Sequence, residues 1–125
     1  IQNKVKQKFF RDQIHIWSII LNDSTTYTAI LDNTIGKSMP ITFLVILNHK
    51  GIIEHTEIIK YRESYGGEIQ NESWTSQFNG KYSESKFGLG SEIQGISGAT
   101  ISVNSVNKGI QKLILLFPFI ESQNK

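Results

Sequence analysis

The stretch "ITFLVILNHKGIIEHTEIIKY", residues 41 to 61, constrains the fold more than any other part of the chain. Two runs rich in β-branched residues flank Asn48-His49-Lys50-Gly51, and Gly51 can supply the positive φ that a tight turn needs. The pattern predicts an antiparallel hairpin with strands over 41–47 and 52–60. A second signal lies near the C-terminus, where Val103, Val106, Ile110, Leu113 and Phe117 recur at three- and four-residue spacing. That spacing predicts a helix with one apolar stripe turned to a sheet.

The remaining segments are read around these two. In "GGEIQNESWTSQFNG", Ile69, Trp74 and Phe78 fall near helical spacing and Gly80 stands where a helix would stop, which predicts a helix from about 67 to 78. The first segment fits two periods. Phe10, Ile14, Trp17 and Leu21 share a helical face, whereas Ile14, Ile16, Ser18 and Ile20 alternate as a strand would; a helix over 4–17 is the favoured reading. Between them, "LNDSTTY" and "LDNTIGKSMP" read as turn-rich connectors around a short strand from Tyr27 to Leu31. A glycine-bearing loop, "GKYSESKFGLGS", and a short extended piece through Ile96 lead to the final helix. The expected fold is α+β: a small antiparallel sheet with a central hairpin, packed by an N-terminal, a middle and a C-terminal helix. At 125 residues the chain makes one domain, 1–125.

Composition removes several classes of function. The formal charge is +2 and the thirteen Lys and Arg are scattered, so no nucleic-acid footprint is present and no nucleic-acid partner is expected. The absence of cysteine excludes disulfides, thiolate-held iron–sulfur clusters and cysteine-containing zinc sites. His49 falls in the predicted turn, His55 on the solvent face of a strand, and His15 has no second histidine beside it, so no metal site is assigned. No Ser-His-Asp set can be chosen by spacing and Ser97 has no base near it in sequence, so no catalytic residue is assigned. The longest apolar run, Leu113 to Ile120, is interrupted by Pro118 and is far shorter than the roughly 20 residues of a bilayer crossing. A soluble domain is expected. The chain begins with Ile1, which leaves room for an upstream signal or anchor segment.

The chemistry concentrates in "ISGATIS", residues 96 to 102, at the start of the last helix. A helix start leaves backbone N–H groups unpartnered and carries about half a positive charge, which favours anions and phosphate above all. Gly98 lets backbone approach such a group, Ala99 adds little bulk, and Ser97, Thr100 and Ser102 supply hydroxyls. Two readings follow from these residues: simple capping, in which a hydroxyl accepts from the helix N–H groups and nothing is bound, or an anion site.

The motif and the helix after it resemble the FMN-binding domain family, the module of the RnfG and NqrC subunits of membrane redox complexes and of many extracytoplasmic flavoproteins. "FLVILNHKGIIEHTEII", "YRESYGGEI" and "WTSQFNGK" follow the family's order of strand, turn glycine, strand, Glu-and-Gly segment and helix, so the resemblance covers residues 27–116. It implies FMN joined by a phosphodiester to the motif threonine, Thr100, and installed from FAD by a flavin transferase. One position departs: family members often carry an acidic residue three places before the motif serine, where this chain has Gln94. The implied cofactor site comprises Ser97, Gly98, Ala99, Thr100 and Ile101, with Glu63, Gly66 and Gly67 beside the cofactor and Leu89, with Gly90, on the other side of the ring. Tyr61, Tyr65, Trp74, Phe78 and Tyr82 are the aromatic candidates for stacking on it.

The function so implied is that of an extracytoplasmic, or periplasmic, electron carrier with covalent FMN, an electron-transfer domain more than a stand-alone enzyme, with redox partner proteins at or near the membrane. A tether suits that compartment, where a dissociating cofactor is lost to dilution. The alternatives are a non-covalent FMN-binding sensor or accessory domain of a larger reductase, and a secreted binding or scaffold module without flavin.

Overall fold

A computed structural model describes residues 4–11, 14–21 and 24–123, with side chains described over 14–21 and 24–122. Five strands run β1 (Lys4–Arg11), β2 (Ile14–Ile20), β3 (Thr26–Ile35), β4 (Pro40–Asn48) and β5 (Ile53–Lys60). They form one antiparallel sheet in sequence order, each strand paired to the next. The fold is α+β, with the β4–β5 hairpin as expected. Its turn is held by Asn48, whose Oδ1 accepts the N–H groups of Lys50 (2.9 Å) and Ile52 (3.0 Å), while Gly51 takes φ 81°. A side chain at Gly51 would also collide with the Phe117 ring, 2.9 Å from an ideal Cβ.

The N-terminal helix over 4–17 is overturned: Lys4–Arg11 and Ile14–Ile20 are strands. Alternation of Ile14 and Ile16, both buried, wins over the helical face because β3 offers a full edge to pair with, from His15↔Leu31 to Ile20↔Thr26. The strand expected over 27–31 is also longer, Thr26–Ile35. The polar run Asp32-Asn33-Thr34 stays in the sheet because it finds partners there. Thr34 Oγ1 donates to the Ser105 carbonyl at 3.3 Å, Thr42 Oγ1 donates to Asn33 Oδ1 at 2.5 Å, and buried Asp32 pairs with Lys112 Nζ at 3.1 Å. The middle helix is broken into a 3₁₀ turn Gly67–Gln70, one α-turn α1 (Glu72–Thr75) and a second 3₁₀ turn Ser76–Phe78, because Asn71 is extended (φ −73°, ψ 138°). The piece through Ile96 is no strand; residues 88–93 fold into a turn with a single bridge, Leu89↔Ile93. In that turn the Glu92 carboxylate is held below its usual pKa, first by the Ser91 hydroxyl and then by the Gly88 N–H.

Helix α2 (Thr100–Gln123) lies across one face of the sheet, over β3 and β4. The predicted stripe is buried as a block, with Val103, Val106, Ile110, Leu113 and Phe117 between 0% and 7% exposed. Full burial of side chains of this size contributes roughly 1.5–3 kcal/mol each before the entropy of ordering them. Ile69, Trp74 and Phe78 close the same core from the side of β5. Gly80 and Lys81 pair with Ile53 at the start of β5 (2.7 and 2.9 Å), which blunts that edge of the sheet. Among the described residues no helix is long and apolar enough to cross a membrane.

Gly109 sets how closely α2 approaches the sheet. An ideal Cβ there would lie 2.9 Å from Phe43 Cζ and 3.6 Å from Thr34 Cβ, and Phe43 is fully buried. Gly109→Ala gains about 1 kcal/mol of helix propensity but forces overpacking that costs roughly 1–3 kcal/mol. The expected outcome is net destabilisation, read in urea as a lowered midpoint with an unchanged slope; an unchanged or raised midpoint would show that α2 can stand off the sheet.

Candidate functional site

Three segments meet at the start of α2. The turn between β3 and β4 brings residues 37–39, pinned by the Gly36 N–H to the Met39 carbonyl (2.9 Å). The segment after β5 brings residues 61–65, and the motif brings residues 98–102. Together they line an open cavity of about 580 Å³. Its neighbourhood is fixed by pairing: Ile35↔Pro40 closes the β3–β4 turn, and Thr42↔Lys60 brings the end of β5 alongside.

The motif itself is a turn that becomes a helix. Ala99 N–H donates to the Ile96 carbonyl (3.0 Å) with Gly98 at φ 81°, and Val103 N–H donates to the Ala99 carbonyl (3.0 Å) as the first helical bond. Among the described residues nothing accepts from the N–H groups of Thr100, Ile101 or Ser102, and none of the three candidate hydroxyls caps the helix. Ser102 is buried and its hydroxyl is engaged with Tyr61 Oη at 3.2 Å, whereas Ser97 and Thr100 are exposed. The capping reading is therefore set aside by the structure. What is left at the cavity floor is a set of unpartnered amides at the electropositive end of a 24-residue helix.

Four features hold the motif in place. Gly66, at φ 83°, packs so tightly on it that an ideal Cβ would stand 2.5 Å from Ala99 Cβ and 2.7 Å from Tyr61 Oη. Tyr61 Oη also donates to the Tyr65 carbonyl, tying the Glu-and-Gly segment back on itself. Upstream, Trp74 Nε1 donates to the Gln94 carbonyl (2.8 Å) and Gln77 Oε1 accepts the Gln94 N–H (2.6 Å). Gln94 is thus gripped through its backbone by both side chains of the Trp-x-x-Gln turn. Asn107 Nδ2 donates to the Phe87 carbonyl (2.8 Å) and fixes the preceding loop against α2.

Charge in the lining is two cations and one anion: Lys37, Arg62 and Glu63. Glu63 is satisfied locally, accepting from Ser38 N–H (3.3 Å) and Ser38 Oγ (3.2 Å). Arg62 donates Nη1 to the Pro40 carbonyl (2.6 Å) and to Thr42 Oγ1 (3.3 Å), which orients it across the β3–β4 turn. The balance favours an anionic ligand group. The apolar share of the wall comes from Met39, Ile101 and the rings of Tyr61 and Tyr65; Met39, Ile101 and Tyr65 are exposed at 42%, 54% and 82%.

Of the residues named from the sequence, Gly98, Ala99, Thr100, Ile101 and Glu63 line the cavity, and Gly66 touches it through Ala99. Gly67 and Ser97 are exposed at its margin without lining it, and Leu89 lies in the 88–93 turn, 40% exposed and outside the lining. Among the aromatics Tyr61 and Tyr65 reach the cavity, Trp74 and Phe78 belong to the core, and Tyr82 borders a separate small groove beside Leu115. Lys37, Ser38, Met39 and Arg62 were not anticipated. The signal for the first three was a Gly-Lys-Ser-Met-Pro turn read only as a connector.

Comparison with curated proteins gives no match. A family model described as FMN-binding domain matches residues 36–115, well over half of the chain, and spans all three segments that line the cavity. The chain belongs to the FMN-binding domain family.

Proposed function

We propose that the domain carries FMN esterified through its phosphate to the Thr100 hydroxyl and serves as an electron carrier outside the cytoplasmic membrane. The family membership supports FMN itself. The observation that carries the tether is Thr100: an exposed hydroxyl on the first residue of α2, in a cavity of about 580 Å³, beside amides that nothing engages among the described residues. The donor set suits a flavin nucleotide. Unpartnered N–H groups with Lys37 and Arg62 match a phosphate, and Met39, Ile101, Tyr61 and Tyr65 offer apolar faces to a flat ring. The volume lies within the roughly 300–1,000 Å³ usual for cofactor pockets.

Each of this chain's residues then has a task. The amides of Thr100, Ile101 and Ser102 and the two cations hold the phosphate charge, and Gly66 brings its segment against Ala99 without side-chain bulk. Tyr61, by bonding Ser102 and the Tyr65 carbonyl, keeps the wall at a fixed distance from Thr100. The bound flavin supplies the capacity to take up and release electrons. A flavin transferase that draws on FAD is the implied installing partner, and redox proteins are the implied donor and acceptor. A covalent link supports an extracytoplasmic role, because a tethered cofactor is not lost by dissociation where none is made.

Two measurements test this reading. Protein produced together with a flavin transferase and FAD should gain the mass of FMN less one water, mapped to the peptide containing Thr100, and Thr100→Ala should gain nothing. A flavin bound to Thr100→Ala protein that survives denaturation would overturn the tether. In the second, Gly66→Ala, which sets a methyl against Ala99 and Tyr61 at a φ that L-residues rarely adopt, should lower flavin loading at least about tenfold. Its thermal unfolding should fall as well, because the methyl meets Ala99 and Tyr61, so loading is compared at a temperature where circular dichroism shows the variant still folded. Full loading of Gly66→Ala would separate that loop from the site.

A further inference from the structure

Only one face of the sheet is covered by α2 and the 67–78 segment. The other face is apolar at its centre. Its side chains form rows across the strands: His15, Leu31, Leu44 and Glu57 in one, Trp17, Ala29, Ile46 and His55 in the next, then Ile19, Tyr27 and Asn48. Trp17, Ile19, Tyr27, Leu31, Leu44 and Ile46 are all only half-buried, and none belongs to the core cluster under α2. Polar groups stand at the margins, where His55 Nε2 and Glu57 Oε1 are 3.1 Å apart. An apolar centre within a polar rim is the layout of a protein–protein interface.

From this register we infer that the outer face is the interface of a homodimer, its two-fold axis running along the strands between β3 and β4. Such an axis keeps each row in register and exchanges β3 with β4 and β2 with β5. Leu31 then meets Leu44 of the second copy. Small Ala29 lies under Ile46, and Tyr27 meets the Asn48 amide. At the margins Trp17 faces the His55 ring and His15 faces Glu57. Leucine meets leucine across the axis, large Ile46 meets small Ala29, and basic His15 meets acidic Glu57, so a second copy of this chain fits the face without a designed partner. Four strands at about 4.8 Å spacing and some 20 Å of strand length give a face that removes roughly 1,000 Å² from water when two copies close. That is the lower limit for a specific interface, so the dissociation constant is expected on the order of 1–100 µM. The cavity at Thr100 is bordered by the β3–β4 turn, the start of α2 and the segment after β5, and dimerisation leaves it open. The inference is independent of what that cavity binds.

Sedimentation equilibrium of the full chain from about 0.1 µM to about 1 mM brackets the expected constant. The unmodified protein should pass from monomer to dimer across this range. Leu31→Glu and Leu44→Lys should each weaken dimerisation at least about tenfold, since each buries a charge against leucine. An equimolar mixture of the two should regain a heterodimer, because Glu at 31 in one copy then faces Lys at 44 in the other. Ile101→Lys, on the cavity side, should leave the dimer unchanged. A monomer throughout, a dimer indifferent to Leu31→Glu, or a mixture that does not recombine would each overturn the proposal. Should either variant lose its circular-dichroism signature of folding, Trp17 in the unmodified chain gives the second readout. Its emission should shift to the red on dilution through the dissociation constant, and a dimer that dissociates without this shift would place the interface elsewhere.

Discussion

One helix, α2, covers β3 and β4 on one face of a five-stranded sheet, with the 67–78 segment beside it over β5, and the rest of the molecule follows from how that helix is seated. The stripe from Val103 to Phe117 is fully committed to β3 and β4, and Gly109 lets the two layers approach to the limit set by Phe43. With that contact fixed, the first turn of α2 can lie only beside the β3–β4 turn and the end of β5. Its free amides therefore face a wall whose other residues arrive from strands paired to one another. The cavity is a consequence of packing before it is a consequence of any ligand.

The same constraint explains an asymmetry of chemistry. On the covered face even polar strand residues are used, with Asp32 paired to Lys112 and Thr34 bonded to the backbone of α2. Removing such a partner from a buried carboxylate is costly, which makes the pair a register mark more than a source of net stability. On the open face the polar contacts stand toward the margins, Thr42 with Asn33 and His55 with Glu57, and the centre between them is apolar. A chain that needs only one layer of helix has a second surface to spend on association.

Much of this was legible in the residues. The β4–β5 hairpin announced itself because two β-branched runs flank Asn48-His49-Lys50-Gly51, and Gly51 takes the positive φ expected of it, while the hold of Asn48 Oδ1 on the turn came from the structure. The last helix was equally plain, since its stripe has a single period. The first forty residues misled because "IHIWSII" satisfies two periods at once, and what decides between them is pairing with β3, a tertiary fact that no local window contains. Alternation of Lys4, Lys6 and Lys8 with Val5 and Phe9 was the cue for an outermost strand. "LDNTIGKSMP" looked like a connector because Asp32, Asn33 and Thr34 are turn-forming types; they lie in the sheet because α2 and β4 satisfy them. Within the site, the motif and the Glu-and-Gly segment could be found from resemblance. Lys37, Ser38 and Met39 could not, because they join the site only through the pairing of Ile35 with Pro40.

The central claim is a phosphorus atom bonded to the oxygen of Thr100 at the electropositive mouth of α2. It can be read directly by ³¹P nuclear magnetic resonance of the flavin-loaded protein during a titration across neutral pH. A phosphomonoester loses its second proton near pH 6, about the middle of that range, and its resonance moves as it does so. A diester has no such proton. The account predicts one resonance that stays still from about pH 5 to pH 8. A resonance that titrates would mean that FMN is held as a free monoester, and the tether at Thr100 would be wrong.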